Sequence, residues 1–236
     1  MQATFSLSEH LILLRKNLIK VSLFFLLILI LALIFSRTIY TYLAQPLLLA
    51  LPNQDHLIAT NITSPLLVPM KLAVIVSLLL VLPYALLQIW QFISPGLYQK
   101  EKQFSRFFIV ATIALFYLGI LFAYFIVFPL IFKFFVLTTP KGVVMLPDIS
   151  QYLNFVMKLF FAFGMAFEIP VFVLLLVKAK LVTIRQLKKL RPYMIVVAFI
   201  LGMLLTPPDV ISQILLAIPL CGLYELGLIA ARFIEQ

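Results

Sequence analysis

Residues 18–35 read LIKVSLFFLLILILALIF. A bilayer hydrocarbon core about 30 Å thick is crossed by roughly 20 apolar residues in a helix, and this run fits one crossing. Its apolar stretch exceeds the usual 7–15 residues of a signal peptide, and no small-residue cleavage site follows, so it is expected to stay in the protein. Working outward, residues 69–93, 107–137, 152–177, 192–205 and 210–231 repeat the pattern. Of the 236 residues 64% are hydrophobic and 11% charged, against roughly 45–50% and about 25% in a soluble domain. One soluble core cannot hide that much apolar surface, so the solvent must be lipid. The expectation is an all-α polytopic membrane protein, a single domain over residues 1–236 with six transmembrane helices. No internal repeat or low-complexity tract is seen.

Charge orients the chain. The N-terminal end carries Arg15, Lys16 and Lys20. Lys100, Lys102 and Arg106 fall between the second and third. Lys178, Lys180, Arg185, Lys188, Lys189 and Arg191 fall between the fourth and fifth, and Arg232 follows the sixth. The opposite side holds only Arg37, Lys133 and Lys141. Thirteen bases against three predict that both termini are cytoplasmic. Lys71 and Lys158 fall within spans. The net charge of +10 is thereby explained without nucleic acid, since no soluble basic domain carries it. Cys221 is the single cysteine and cannot form an intrachain disulfide, and no Cys/His cluster has metal-ligand spacing. No cofactor is expected.

Residues 36–68, with Pro46, Pro52 and Pro65, read as a loop, as do residues 138–151. The fifth span is short. Fourteen residues cover roughly 21 Å, which requires thinned lipid or packing where lipid is already thin. Pro83, Pro129, Pro170 and Pro219 interrupt spans; each removes a backbone donor and can kink its helix, although membrane helices tolerate proline in general. Glu168, just before Pro170, is an acid inside the fourth span. Such residues face a cavity or a partner. The alternatives are a polar lining that meets a partner helix, or a carboxyl satisfied by Lys158 or by backbone freed at Pro170.

Four segments carry a family resemblance. They are HLILLRKNLI at residues 10–19, FISPGLYQKEK at 92–102, FGMAFEIPV at 163–171, and the hairpin from Leu205 through Thr-Pro-Pro-Asp209 to Pro219. In order and spacing they resemble the TatC family, the multi-spanning receptor subunit of the twin-arginine protein translocase. The resemblance implies a cupped, concave arrangement of helices in the bacterial inner membrane. It implies a protein that is not an enzyme and that binds twin-arginine signal peptides at its cytoplasmic face. With the single-span partners TatA and TatB, such a protein exports folded proteins on the proton-motive force, as a homo-oligomer within the complex.

The resemblance places signal-peptide binding on Glu101. A carboxylate accepts a bidentate, charge-assisted pair from a guanidinium; the plainer reading is a loop acid balancing Lys100, Lys102 and Arg106. Arg15 also matches the family, or serves as a positive-inside anchor. The N-terminal segment departs from the pattern: Leu13 stands where the family usually has glutamate, and Asn17 where it often has a base. Glu9, four residues before Leu13, is on the same helical face and is a candidate substitute. It also completes a capping box with Ser6, which would occupy its carboxylate. Pro46 matches a family loop proline, and Asp209 is expected to cap the sixth helix. Glu225 reads as an interfacial residue. The competing classes are a secondary transporter, which would show repeats and paired half-helices, and an intramembrane enzyme, which would need a nucleophile–base pair or a metal motif. Neither signature is present.

Overall fold

Lipid offers backbone amides no hydrogen-bond partner, so each apolar run must close its bonds within itself. The structure, a computed structural model, describes residues 7–51, 56–93, 99–140, 142–205 and 210–235. Of residues 7–11, 90–93, 99–106, 212, 234 and 235 it describes the backbone only. The described residues are helical almost throughout: α1 (Leu7–Ile34), α2 (Ser36–Leu48), α3 (Ser64–Ile93), α4 (Gln99–Phe122), α5 (Phe128–Thr138), α6 (Ile149–Phe167), α7 (Ile169–Lys178), α8 (Ile184–Lys189), α9 (Arg191–Leu205) and α10 (Val210–Glu235). Five stretches are long and apolar enough to cross a membrane: Ile12–Ile34, Ser64–Ile89, Phe107–Thr138, Ile149–Lys178 and Gln213–Phe233. The shorter apolar helix α9 makes a sixth.

The sequence reading missed two helices, α2 and the short α8 inside the basic connection. Residues 36–48 were expected in a loop but form α2. Leu43, Ala44 and Leu47, spaced for one helical face, are buried there. Pro46 lies in the last turn of α2 and is half-buried. The prolines suggested a loop, but a proline this near the C-terminus interrupts little of the ladder.

The interior prolines act differently from one another. Pro129 follows a single π turn, Ala123–Val127, in which the Phe128 amide donates to the Ala123 carbonyl. This wider turn rearranges the ladder ahead of the missing proline donor. Pro170 coincides with a break between α6 and α7 at Glu168, whose own amide donates to the Met165 carbonyl at 3.1 Å. Pro83 and Pro219 stay inside continuous helices.

The chain divides into two compact units, residues 1–43 with 61–113 and residues 44–60 with 114–236. In the first, α1 packs along α3, and Phe24 meets Tyr84 with ring centroids 4.8 Å apart. In the second, a ladder of aromatic rings joins the π turn and its flanking helices to α6. Phe122 touches Phe163 and Phe167, Phe128 touches Phe160, and Phe132 touches Tyr152 and Phe155. Gly119 allows the closest approach: a Cβ there would stand 2.5 Å from the Phe163 carbonyl oxygen. Gly227 does the same for α10, where a Cβ would stand 3.0 Å from the Pro170 Cα. Without hydrophobic drive between helices in lipid, small residues that admit close backbone packing hold such crossings. A second apolar cluster joins α7, α8 and α10 through Val173, Val177, Leu187, Tyr224 and Leu228.

Candidate functional site

The candidate peptide-binding residues belong to the first unit. Arg15 lies on α1 with its side chain exposed. Glu9 falls in the first turns of α1 and Glu101 in the first turn of α4. Both side chains lie outside the described residues, as does Ser6, so the expected capping box falls there too. The connection 94–98 is likewise outside them.

Asn17 is the residue whose place most changes its reading. At a position where the resembled family often has a base, this asparagine is buried at 5% exposure. Its Nδ2 donates to the Gln88 backbone carbonyl at 3.2 Å, tying α1 to α3. Opposite faces of one turn of α1 therefore divide the labour, with Arg15 facing out and Asn17 locking the helix in place. An apolar cavity of about 240 Å³ adjoins the bond, lined by Leu14, Leu18, Val21, Ala85 and Ile89.

The remaining candidates lie in the second unit. Glu168 is half-buried at the break between α6 and α7. It stands ten residues, about 15 Å along the axis, from Lys158, which puts direct pairing of the two out of reach. Asp209 lies outside the described residues; α10 begins at Val210.

Two polar constellations were not anticipated. Asp148, 7% exposed, caps α6. Its Oδ1 accepts from the Ser150 and Gln151 amides at 2.9 and 3.0 Å. Its Oδ2 accepts from the Thr60 amide and hydroxyl at 3.0 and 2.8 Å. A two-residue backbone contact reinforces the clamp: the Ile58 amide donates to the Pro147 carbonyl and the Ile149 amide to the Ile58 carbonyl. The Thr60 donors, then the helix amides, hold the Asp148 carboxyl down at about 2, because hydrogen bonds favour the ionised form. The local signal existed, since an Asp three residues before Gln151 opens an apolar run.

The second constellation sits where the basic connection enters α9. Arg191 donates to Glu225 Oε2 at 2.6 Å, and the Tyr224 hydroxyl donates to the Leu187 carbonyl at 2.7 Å. Glu225, expected at the interface only, thus fixes the start of the short helix to α10. Thr183 and Gln186 form a capping box that starts α8 within the same connection. No local pattern joins residues 34 apart. Among the described residues no group of His, Cys, Asp and Glu is placed to hold a metal.

The family described as Sec-independent protein translocase protein (TatC) matches residues 9–219. Among relatives of that name, the Haemophilus influenzae protein is 48% identical over 229 residues, covering 97% of this chain and 90% of its own. The Escherichia coli K12 protein is 46% identical over 227 residues, covering 96% and 88%. A crystal structure of the twin-arginine translocase receptor TatC is similar with a TM-score of 0.79 and 38% identity, over 97% of this chain and 100% of that one. These likenesses favour a translocase component over a solute transporter, and the family is a non-enzymatic transport receptor. The matched motifs, the apolar helices and the shared fold agree: this chain is a multi-pass membrane protein that belongs to the TatC family.

Proposed function

We propose that the protein binds twin-arginine signal peptides at its cytoplasmic face and, with TatA and TatB, exports folded proteins across the bacterial inner membrane on the proton-motive force. The observation that carries this reading is the likeness, over nearly the whole chain, to a twin-arginine translocase receptor. The whole chain acts as one membrane domain, in several copies within the complex, with both termini cytoplasmic. The thirteen-to-three charge asymmetry supports that orientation.

Glu101 supplies the main carboxylate for the arginine pair, because Leu13 cannot pair with a guanidinium. Glu9 caps α1 or replaces the lost acid. Arg15 stands exposed on the same helix. The apolar cavity beside Asn17 suits the apolar stretch that follows the basic segment of a signal peptide. Glu168 offers a polar contact to a partner helix, while Pro46 and Asp209 shape the chain at helix ends.

Crosslinking a twin-arginine precursor to probes placed along residues 94–106 tests the site, and affinity measurements refine it. Glu101→Gln is expected to abolish most precursor binding. If Glu9 only caps, Glu9→Gln leaves binding nearly unchanged; if it replaces the acid, both variants weaken binding. Retained affinity in Glu101→Gln overturns the assignment. Labelling of residues 178–191 from outside intact cells overturns the orientation.

A further inference from the structure

Lys158 is an exposed lysine on α6, inside the span Ile149–Lys178, and among the described residues it forms no ion pair. Its depth follows from the chain. The basic connection begins at Lys178, which must lie at the membrane boundary. Lys158 stands twenty residues earlier across α6 and α7, a path of at most about 30 Å, which compares with the thickness of the hydrocarbon core. It therefore reaches the opposite boundary, where the phosphates of the lipid headgroups lie. The polar residues Ser150, Gln151 and Asn154 precede it on the same helix.

A cavity of about 450 Å³ runs inward from this lysine. One wall is the stripe Phe161, Met165 and Ile169, which continues the face of Lys158 at helical spacing; the other holds Leu201 and Leu205 of the short helix α9. Apart from the lysine the lining is apolar. From Lys158 to Ile169 the stripe is about 16 Å long, or about half the hydrocarbon thickness. That is the reach of the acyl chains of one leaflet.

We propose that this cavity is a specific phospholipid site, with the lipid phosphate on the Lys158 ammonium and an acyl chain along the α6 stripe. An ammonium at the boundary above an apolar groove complements an amphiphile with an anionic head and an apolar tail. The site lies where α9 ends at Leu205, so the bound lipid seals the end of the helix that is too short for an ordinary bilayer. Its occupant is independent of signal-peptide binding.

Native mass spectrometry of the purified chain, equilibrated with dioleoylphosphatidylglycerol or with dioleoylglycerol, tests the site. Wild type is expected to retain phosphatidylglycerol and not the phosphate-free diacylglycerol. Lys158→Met is expected to cut the adduct about tenfold, as the loss of one charge-assisted contact implies, and Lys158→Arg to keep it. Met165→Trp, which fills the groove and leaves the lysine intact, is expected to lose the adduct as well. Equal phosphatidylglycerol retention by wild type and Lys158→Met overturns the proposal, as does equal retention of both lipids by wild type. So does a third outcome, in which lipid retention ignores Lys158 while a carboxylate-bearing single-span peptide binds wild type and not Lys158→Met; the groove then docks a helix.

Discussion

The first and fourth spans differ in a way that composition hides. Ile12–Ile34 is the more apolar of the two, yet 11% of its most apolar window is buried, against 50% for Ile149–Lys178. In water the more apolar segment would be the core. In lipid, apolar residues gain nothing by leaving the bilayer, so packing selects small residues, rings that interlock and polar links instead. Ile149–Lys178 has Gly164, a ladder of phenylalanines and the Asp148 cap. Ile12–Ile34 has long aliphatic side chains and one buried polar residue, Asn17.

If that contrast holds, truncation should be costly in one span and nearly free in the other. Leu159 is fully buried and Ile30 is 59% exposed. Leu159→Ala is expected to destabilise the protein by about 2–5 kcal/mol, and Ile30→Ala by less than about 0.5 kcal/mol, as read from unfolding in detergent. Equal effects would break the comparison. A smaller effect is expected from overpacking: Gly119→Ala drives a methyl into the Phe163 carbonyl and should cost about 1–3 kcal/mol, whereas Ala32→Gly in α1 creates no clash.

The polar link between Asn17 and α3 is weaker still. Asn17→Leu removes the bond to the Gln88 carbonyl and should cost about 0.6–1.7 kcal/mol, the range of hydrogen bonds between membrane helices. A double-mutant partner is unnecessary, because the acceptor is backbone; unchanged stability would make the seam purely apolar.

The effect at the cap of α6 depends on pH. Asn keeps the N-cap, but its Nδ2 cannot accept from the Thr60 amide as the carboxylate Oδ2 does, so Asp148→Asn should be less stable than wild type at about pH 7. The two should converge in acid. The Asp148 carboxyl lies at about 2 in the folded chain, below its ordinary value of about 4. The stability it contributes is complete above the ordinary value and is lost as pH falls from there through about 2. Wild type should lose stability across that window, and Asp148→Asn should lack this component. Parallel acid-unfolding curves would show that the clamp on Thr60 does not depend on charge.

Much of the candidate site was legible because its signals are local. The segments at residues 10–19 and 92–102 are contiguous in the chain, and Glu101 among its bases needed no structure to be noticed. Asp148 was equally local, but the prolines and glycine of residues 138–151 drew that stretch into a loop and hid its cap. Asn17 could be read only as a departure from a pattern. Its role depends on Gln88, 71 residues away. Glu225 acquires a partner only because α9 and α10 bring Arg191 beside it.

The sequence by itself determined the solvent, the spans and their alternation of charge, because the free energy of placing each residue in lipid or water depends on that residue and its near neighbours. It did not determine α2, where a helical face lay in a stretch that Pro46 and the prolines after it marked as a loop. Tertiary structure alone decided which apolar faces pack and which meet lipid. To hydropathy, Leu27 and Leu159 are the same residue. Only the packing of helix on helix leaves one of them 55% exposed and the other sealed.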